Sequence, residues 1–443
     1  MKPIAPALWL SLRGVYAVLG AAAVLALSSA FPPLWYAFVA VALLVVALAL
    51  ADGFAGPNAT SLRLRRTLAP HAALRRDGVV TYAIENRAAV AVRVGIVESP
   101  VPAIAFAHET LVVRVAAASR TTAELAFVPR ERGRLRFGAT YLWVENRIGL
   151  LRRRFRVEGD AELRVFPDLA AVNEYGVLAK RSTLVDAGFR ALRQRGVGTE
   201  FESLREYRPG DPFRLVDWKA TARRGRTMVA QYEVERSQNV VIALDCGRLM
   251  TPRLGLQRKF DYALAAALSI ARIAERADDN VGVLAFAARP LLDIAPRRGA
   301  AHVAALARAT YDLQPRLEEP DYETTFATLA RRHTKRSLIV LFTDLFDPVT
   351  SAAVLAGLAT LVPRHLVMCV LMNDASISRA LDEPVTDRAG AYRTAVAMTL
   401  ADERATAVAM LRARGIIALD VPAEALTVAI LDAYLDVKAR GRL

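Results

Sequence analysis

Two aspartates stand where a carboxylate could do chemistry. The apolar run Val240–Leu244 ends in Asp245, and the apolar run Ser337–Phe342 leads into Thr343 and Asp344. Continuous apolar runs of this length read as buried parallel strands. Both carboxylates then fall at strand carboxyl ends, where open α/β sheets bind ligands. Such a pair can hold a hard divalent cation such as Mg²⁺ through oxygen. The same two residues can instead cap the helices that follow, their charge facing the positive helix ends.

A second constellation lies between Gly198 and Arg224. Glu202, Arg205, Glu206, Asp211, Arg214, Asp217, Lys219 and Arg223 alternate in sign, and Pro209-Gly210-Asp211 is a turn signal. Arg–carboxylate pairs can be bidentate, so several together can hold an irregular segment in one shape. Trp218 adds an apolar face for packing or for a guanidinium. Two roles fit this stretch: a docking surface for a partner protein, or an internal salt-bridge lattice.

Other chemistry is poorly represented. No Gly-x-x-x-x-Gly-Lys-Ser/Thr loop occurs, so nucleotide hydrolysis by this chain is not expected. His71, His108, His302, His333 and His365 have no metal-ligand spacing and sit in no nucleophile motif. Cys246 and Cys369 are far apart within apolar stretches, which suits buried thiols in a reducing compartment. The expectation is a non-enzyme without a cofactor, Mg²⁺ at the aspartate pair being the alternative. Against 44 Asp and Glu there are 59 Lys and Arg, a net charge of +15. That excess suits anionic lipid or an acidic protein. Nucleic acid is not expected, because the arginines are dispersed rather than set along one helix.

Four stretches must position these residues. Between Arg13 and Asp52 there is no charge, and Pro32-Pro33 divides the stretch into Gly14–Phe31 and Leu34–Ala51, 18 residues each. That length crosses a bilayer as a helix, and a Pro pair between apolar runs reads as a tight turn. Residues 1–55 are therefore expected to be a two-span membrane hairpin. Lys2 and Arg13 precede it, Arg63, Arg65 and Arg66 follow it, and the turn has no basic residue. Positive charge stays in the cytosol, so both termini and the body are expected there. A cleaved secretory signal is the rival, with Ser28 and Ala30 as small cleavage-site residues. Residues 56–168 alternate in short strands separated by turn residues, which suggests a β-sandwich. Arg152-Arg153-Arg154 within it is either a lipid-facing patch or a solvated strand face. Residues 169–237 form the charged connector, and residues 238–443 alternate apolar strands with amphipathic helices, the pattern of a parallel sheet covered on both faces.

The connector resembles the signature of the bacterial family called domain of unknown function 58. The matching residues are Glu200-Phe201, Leu204-Arg205-Glu206-Tyr207, Pro209-Gly210-Asp211, Arg214, Asp217-Trp218-Lys219-Ala220 and Ala222-Arg223, then Gln231-Tyr232-Glu233-Val234-Glu235. The resemblance implies a membrane protein with a divergent von Willebrand factor A-like, Rossmann-like α/β domain. It further implies an adaptor or co-chaperone working with a MoxR-type ATPase of the AAA superfamily on an unidentified client protein. In the von Willebrand factor A family metal is held by an Asp-x-Ser-x-Ser loop, a Thr and a further Asp. Asp245, Thr325 and Asp344 match the two Asp and the Thr, whereas Gly247 and Leu249 stand at the Ser positions and offer no side-chain oxygen.

Overall fold

The computed structural model describes residues 2–31, 33–55, 61–168, 200–209, 211–233, 237–345 and 348–442. It divides into two compact units, Met1–Phe166 and Pro167–Leu443.

The first unit opens with strand β1 (Lys2–Leu10), then two apolar helices, α1 (Leu12–Ser28) and α2 (Leu34–Ala55). Strands follow: β2 (Leu62–Leu68), β3 (His71–Ala73), β4 (Gly78–Asn86), β5 (Val92–Glu98), β6 (Ile104–Phe106), β7 (Leu111–Val115), β8 (Ser119–Pro129), β9 (Gly133–Phe137), β10 (Thr140–Glu145), β11 (Leu151–Val157) and β12 (Ala161–Phe166). They form sheets in the orders β1-β11-β10-β5-β7, β2-β4-β8-β6 and β3-β12-β9. Alternate residues point inward, and Tyr82 and Ile84 of β4, Val94 and Ile96 of β5, Leu142 of β10, Phe155 of β11 and Leu163 of β12 share one apolar core. This is the arrangement expected for a β-sandwich.

Glu98 locks the sheets together across that core. Its carboxylate accepts from Tyr82 Oη of β4 at 2.6 Å, from Thr140 Oγ1 of β10 at 2.8 Å and from Arg66 of β2 at 2.9 Å. Burial and the neighbouring carboxylate push the Tyr82 hydroxyl well above its ordinary pKa, so it stays a donor.

One helix among the described residues is long and apolar enough to cross a membrane, Leu34–Phe54 with 21 residues; α1 is shorter, at 17. Lys2–Leu10 is the departure from the expected anchor. It is a strand paired antiparallel to β11, Trp9 facing Arg152 across the ladder. The helices are fastened to the β unit at their base. Buried Asp52 of α2 accepts from Leu151 N at 2.7 Å and Gly149 N at 3.3 Å, and its carbonyl accepts from Asn146 Nδ2 at 3.0 Å. Ser11 caps α1 by accepting from Gly14 N at 3.1 Å and donates its hydroxyl to Gly149 O at 2.5 Å. A Cβ at Gly14 would stand 2.4 Å from Leu150 O, so only glycine lets this helix approach the loop.

The second unit begins with β13 (Glu200–Glu206), a 3₁₀ turn (Phe213–Leu215), α3 (Trp218–Arg224) and β14 (Met228–Glu233), the two strands antiparallel. Then come β15 (Asn239–Asp245), the short pair β16 (Arg253–Leu254) and β17 (Gln257–Arg258), α4 (Lys259–Arg276), β18 (Asn280–Phe286), β19 (Pro290–Arg297), α5 (Ala300–Thr310) and α6 (Tyr322–Arg332). The chain ends through β20 (Ser337–Phe342), α7 (Pro348–Ala359), β21 (Leu366–Asn373), α8 (Ala375–Asp382), α9 (Arg388–Ala413), β22 (Ile417–Pro422) and α10 (Leu426–Ala439). The sheet order is β19-β18-β15-β20-β21-β22, all parallel except the edge strand β19. Period-two alternation sends Val240, Ile242 and Leu244 to the side covered by α4, α5 and α10, and Val241 and Ala243 to the side covered by α6, α7 and α9.

Replacing Glu98 by Ala strands the Arg66 and Tyr82 polar groups in the interior. The expected loss is about 3–5 kcal/mol, with a smaller loss for Glu98→Gln, which keeps an acceptor. Urea unfolding of the detergent-solubilised chain measures both; equal losses would rule out the network as the cause.

Candidate functional site

The order of the α/β sheet reverses between β15 and β20, so the crest at their carboxyl ends is the place where such sheets bind ligands. Asp245 and Asp344 lie there, both fully buried. Asp245 Oδ1 accepts from Gly247 N at 2.7 Å, and Oδ2 accepts from Tyr322 Oη and Thr343 Oγ1, each at 2.7 Å. Burial raises its pKa; the Thr343, Tyr322 and Gly247 donors work against that rise.

Asp344 has a different environment. Its Oδ2 is paired with the Lys259 ammonium at the start of α4, and its Oδ1 accepts from Arg404 of α9 at 2.8 Å and from Leu345 N at 2.9 Å. Arg404 in turn donates to Asp420 of β22 at 2.8 and 3.0 Å. The Lys259 side chain is 2% exposed and that of Arg404 6%. An organic cation thus occupies the carboxylate that the metal reading requires. Thr325 is turned elsewhere: its hydroxyl donates to Asp321 O at 2.6 Å, within the first turn of α6. A Cβ at Gly247 would stand 2.7 Å from Pro320 Cδ, so the position where the metal-binding loop carries a serine is closed by Pro320. Among the described residues no group of three or more His, Cys, Asp or Glu is placed to hold a metal ion. Below the crest, Cys369 is pushed up to about 12 by burial and by the Asp344 charge, which makes it a poor nucleophile.

The connector forms a separate surface. Arg205 grips Asp211 through two bonds of 2.7 and 2.6 Å, and Arg208 N donates to the same carboxylate at 2.8 Å. The Arg205 guanidinium, then the Arg208 N–H, hold Asp211 down to about 2. Asp217 caps α3 by accepting from Ala220 N at 2.9 Å, and Glu206 pairs with Arg226 at 2.7 Å. Glu202 lies on β13 and Arg214 on the 3₁₀ turn; their side chains, like residues 169–199, lie outside the described residues. Lys219 and Arg223 are exposed on α3. Trp218 is 62% exposed and packs against Phe213, itself 65% exposed, at 5.8 Å between ring centroids. Tyr207 continues the row, 6.2 Å from Phe213. Tyr207 was read only as part of the family motif, and Phe213 was not singled out in the sequence. The available signal was their place within the same charged motif as Trp218.

Residues 203–381 match the family described as Protein of unknown function DUF58. The match spans less than half of the chain. It begins inside β13 and ends in α8, so it takes in the connector from Ser203 onward and Asp245, Lys259 and Asp344 of the crest, and leaves out Arg404 and Asp420. An uncharacterized protein of Mycobacterium bovis is 26% identical over 181 residues, 40% of this chain and 56% of that protein. The uncharacterized protein YeaD of Bacillus subtilis is 31% identical over 122 residues, 28% of this chain and 30% of that protein. These findings support DUF58 membership. The chain spans about half the length of the mycobacterial relative it matches. Among solved structures, a PapD-like domain of human CEP192 covers 25% of this chain and 89% of its own at 9% identity, with a TM-score of 0.19 that carries no argument.

Two outcomes test the geometry of this region. Asp344→Ala should cost about 3–5 kcal/mol, because it leaves buried cations uncompensated. Combined with Lys259→Met it should cost less than the sum of the two single changes, by about 0.5–3 kcal/mol; strict additivity in denaturant unfolding would mean that the pair is not coupled. At the connector, Asp211 has a lowered folded pKa. Its contribution is therefore fully present above the ordinary Asp value and fades as pH falls toward about 2. Carboxyl NMR should find Asp211 titrating near 2 and returning toward 3.8 in Arg205→Gln; an ordinary value in the unaltered chain excludes the clamp.

Proposed function

We propose that this chain is a membrane-held, non-enzymatic adaptor or co-chaperone. It presents a cytosolic docking surface to a MoxR-type AAA ATPase that acts on a client protein. The observation that carries this reading is the exposed Phe213–Trp218 pair on the connector, flanked by Lys219 and Arg223 and held in shape by the Arg205–Asp211 clamp. Aromatic residues with arginines are the usual energetic centre of protein interfaces, and an exposed pair of this kind is costly unless something covers it. The surrounding cations suit an acidic partner.

The α/β unit is read as a divergent von Willebrand factor A-like domain. The strand order with one antiparallel edge and an aspartate at each side of the switch point support that reading. With the Lys259 ammonium on Asp344, partner recognition in such a domain would not wait for a divalent cation. The N-terminal helices are read as a two-span hairpin in a bacterial inner membrane. The basic residues Arg13, Arg63, Arg65 and Arg66 at its base support a cytosolic body.

The test is photo-crosslinking from position 219 in the full chain, in detergent extracts of its own membranes. An AAA ATPase should be captured, with at least a fivefold loss when Trp218 and Phe213 are both changed to Ala. Capture of no ATPase, or equal capture by the variant, would sink the proposal.

A further inference from the structure

The strongest unassigned surface is an arginine–tryptophan ladder on the outward face of the sheet that carries the membrane helices. Residues of β10 and β11 alternate: Leu142, Val144 and Phe155 face the core, so Trp143, Arg152 and Arg154 face out. The Arg154 guanidinium lies 4.4 Å from the Trp9 ring, and Arg152 lies 4.4 Å from the Trp143 ring. Arg93 of β5 approaches Trp143 as well, at 5.9 Å. Trp143 itself lies flat over Gly95, where a Cβ would come within 2.0 Å of the ring. Glu145 beneath the ladder is nearly buried and answers Arg152 and Arg93, while Arg154 adds an exposed positive charge. Arg152 gives its Nε–H to Glu145, and the other donors of a guanidinium's five-donor fork match phosphate oxygens.

The place of this ladder in the fold says what covers it. Leu34–Phe54 has 21 residues, and at about 1.5 Å per residue it is about 31 Å long, close to the hydrocarbon thickness of a bilayer. Its lower end, at Asp52 and Gly53, is therefore at the headgroup boundary. The first residues of β11 grip that end: Leu151 N donates to Asp52, and Arg153 donates to Gly53 O. Arg152 and Arg154 follow Leu151 by one and three residues, at most about 10 Å along a strand. Trp9 sits two residues before the Ser11 cap of α1, and it is 46% exposed. Trp9, Arg93 and Arg152 are thus at the membrane end of their strands, and Trp143 and Arg154 face each other two residues further along, with the tryptophans near the level where amphipathic rings settle in an interface.

We infer that the Arg93, Arg152 and Arg154 ladder, with Trp9 and Trp143, is a docking surface for the phosphate-bearing headgroups of anionic phospholipids. It rests on the reading of α2 as a membrane span. The surface would seat the β unit against the bilayer rather than leave it swinging from its anchor.

The experiment uses the full chain with Trp35→Phe and Trp218→Phe, so that Trp9 and Trp143 alone report. It is placed in nanodiscs of mixed phosphatidylcholine and phosphatidylglycerol, with either lipid brominated. Tryptophan quenching should be at least twofold stronger when the anionic lipid carries bromine. Arg152→Gln with Arg154→Gln should bring the ratio to one, and Lys at both positions should retain part of it, which separates charge from loss of fold. Quenching equal for both lipids, or absent while the chain stays in the disc, overturns the inference and leaves the membrane reading standing. A chain that stays in solution without detergent overturns both. Loss of the ratio on adding inorganic phosphate would assign the arginines to free anion and remove the lipid.

Discussion

The buried charge of Asp344 is the constraint around which the α/β unit is organised. An ion of that size moved from water to a dry interior loses on the order of 20 kcal/mol of hydration in the idealised limit. It is held there by Lys259 from the first residue of α4 and Arg404 from the middle of α9, with Asp420 of β22 completing the chain of charges. The arrangement links helices on opposite faces of the sheet through one strand end. None of its members can leave alone without exposing another to an apolar surrounding. The price is a crest with little room for chemistry: its acids are already answered by internal donors and cations. A second buried pair works in the same way at the other end of the strands, where Asp279 accepts from Gln238 N and pairs with Lys438 of α10 at 2.6 Å.

The connector follows the opposite electrostatic regime. Arg205, Glu206, Asp211 and Arg226 stand near water, where an ion pair contributes little to stability. Their effect is on shape. The two-pronged Arg205–Asp211 contact and the Asp217 cap fix the route of an irregular segment, and the consequence is that Trp218 and Phe213 are held outward together. Rings kept in water by a preformed backbone lose little further freedom on meeting a partner.

In the first unit the same economy joins apolar helix and sheet. Asp52 and Ser11 are polar residues at the inner ends of apolar helices, and both are buried because each satisfies the loop Asn146–Leu151. The sheet contributes β1, whose pairing with β11 places Trp9 and the arginines side by side.

Local pattern carried much of this protein. The uncharged run before Asp52 marked the helices, and continuous apolar runs marked β15, β20 and β21. Helical periodicity marked α4 to within one residue of Phe260–Arg276, and the turn and charge residues of the connector marked its motif. Each of these signals lies within a few turns of chain, where spacing alone decides which side chains share a face. The partners of Asp344 do not. Lys259 is 85 residues away and Arg404 60, nothing in their local spacing points to Asp344, and only the sheet order brings their helices over one crest. For the same reason the sequence matched Thr325 to a metal set, although its hydroxyl is spent on its own helix. It also left Lys2–Leu10 in the anchor, because nine residues with one charge give no sign of the strand they will join. Period and composition are properties of a segment; which charge answers which, and which edge a strand completes, are properties of the packed whole.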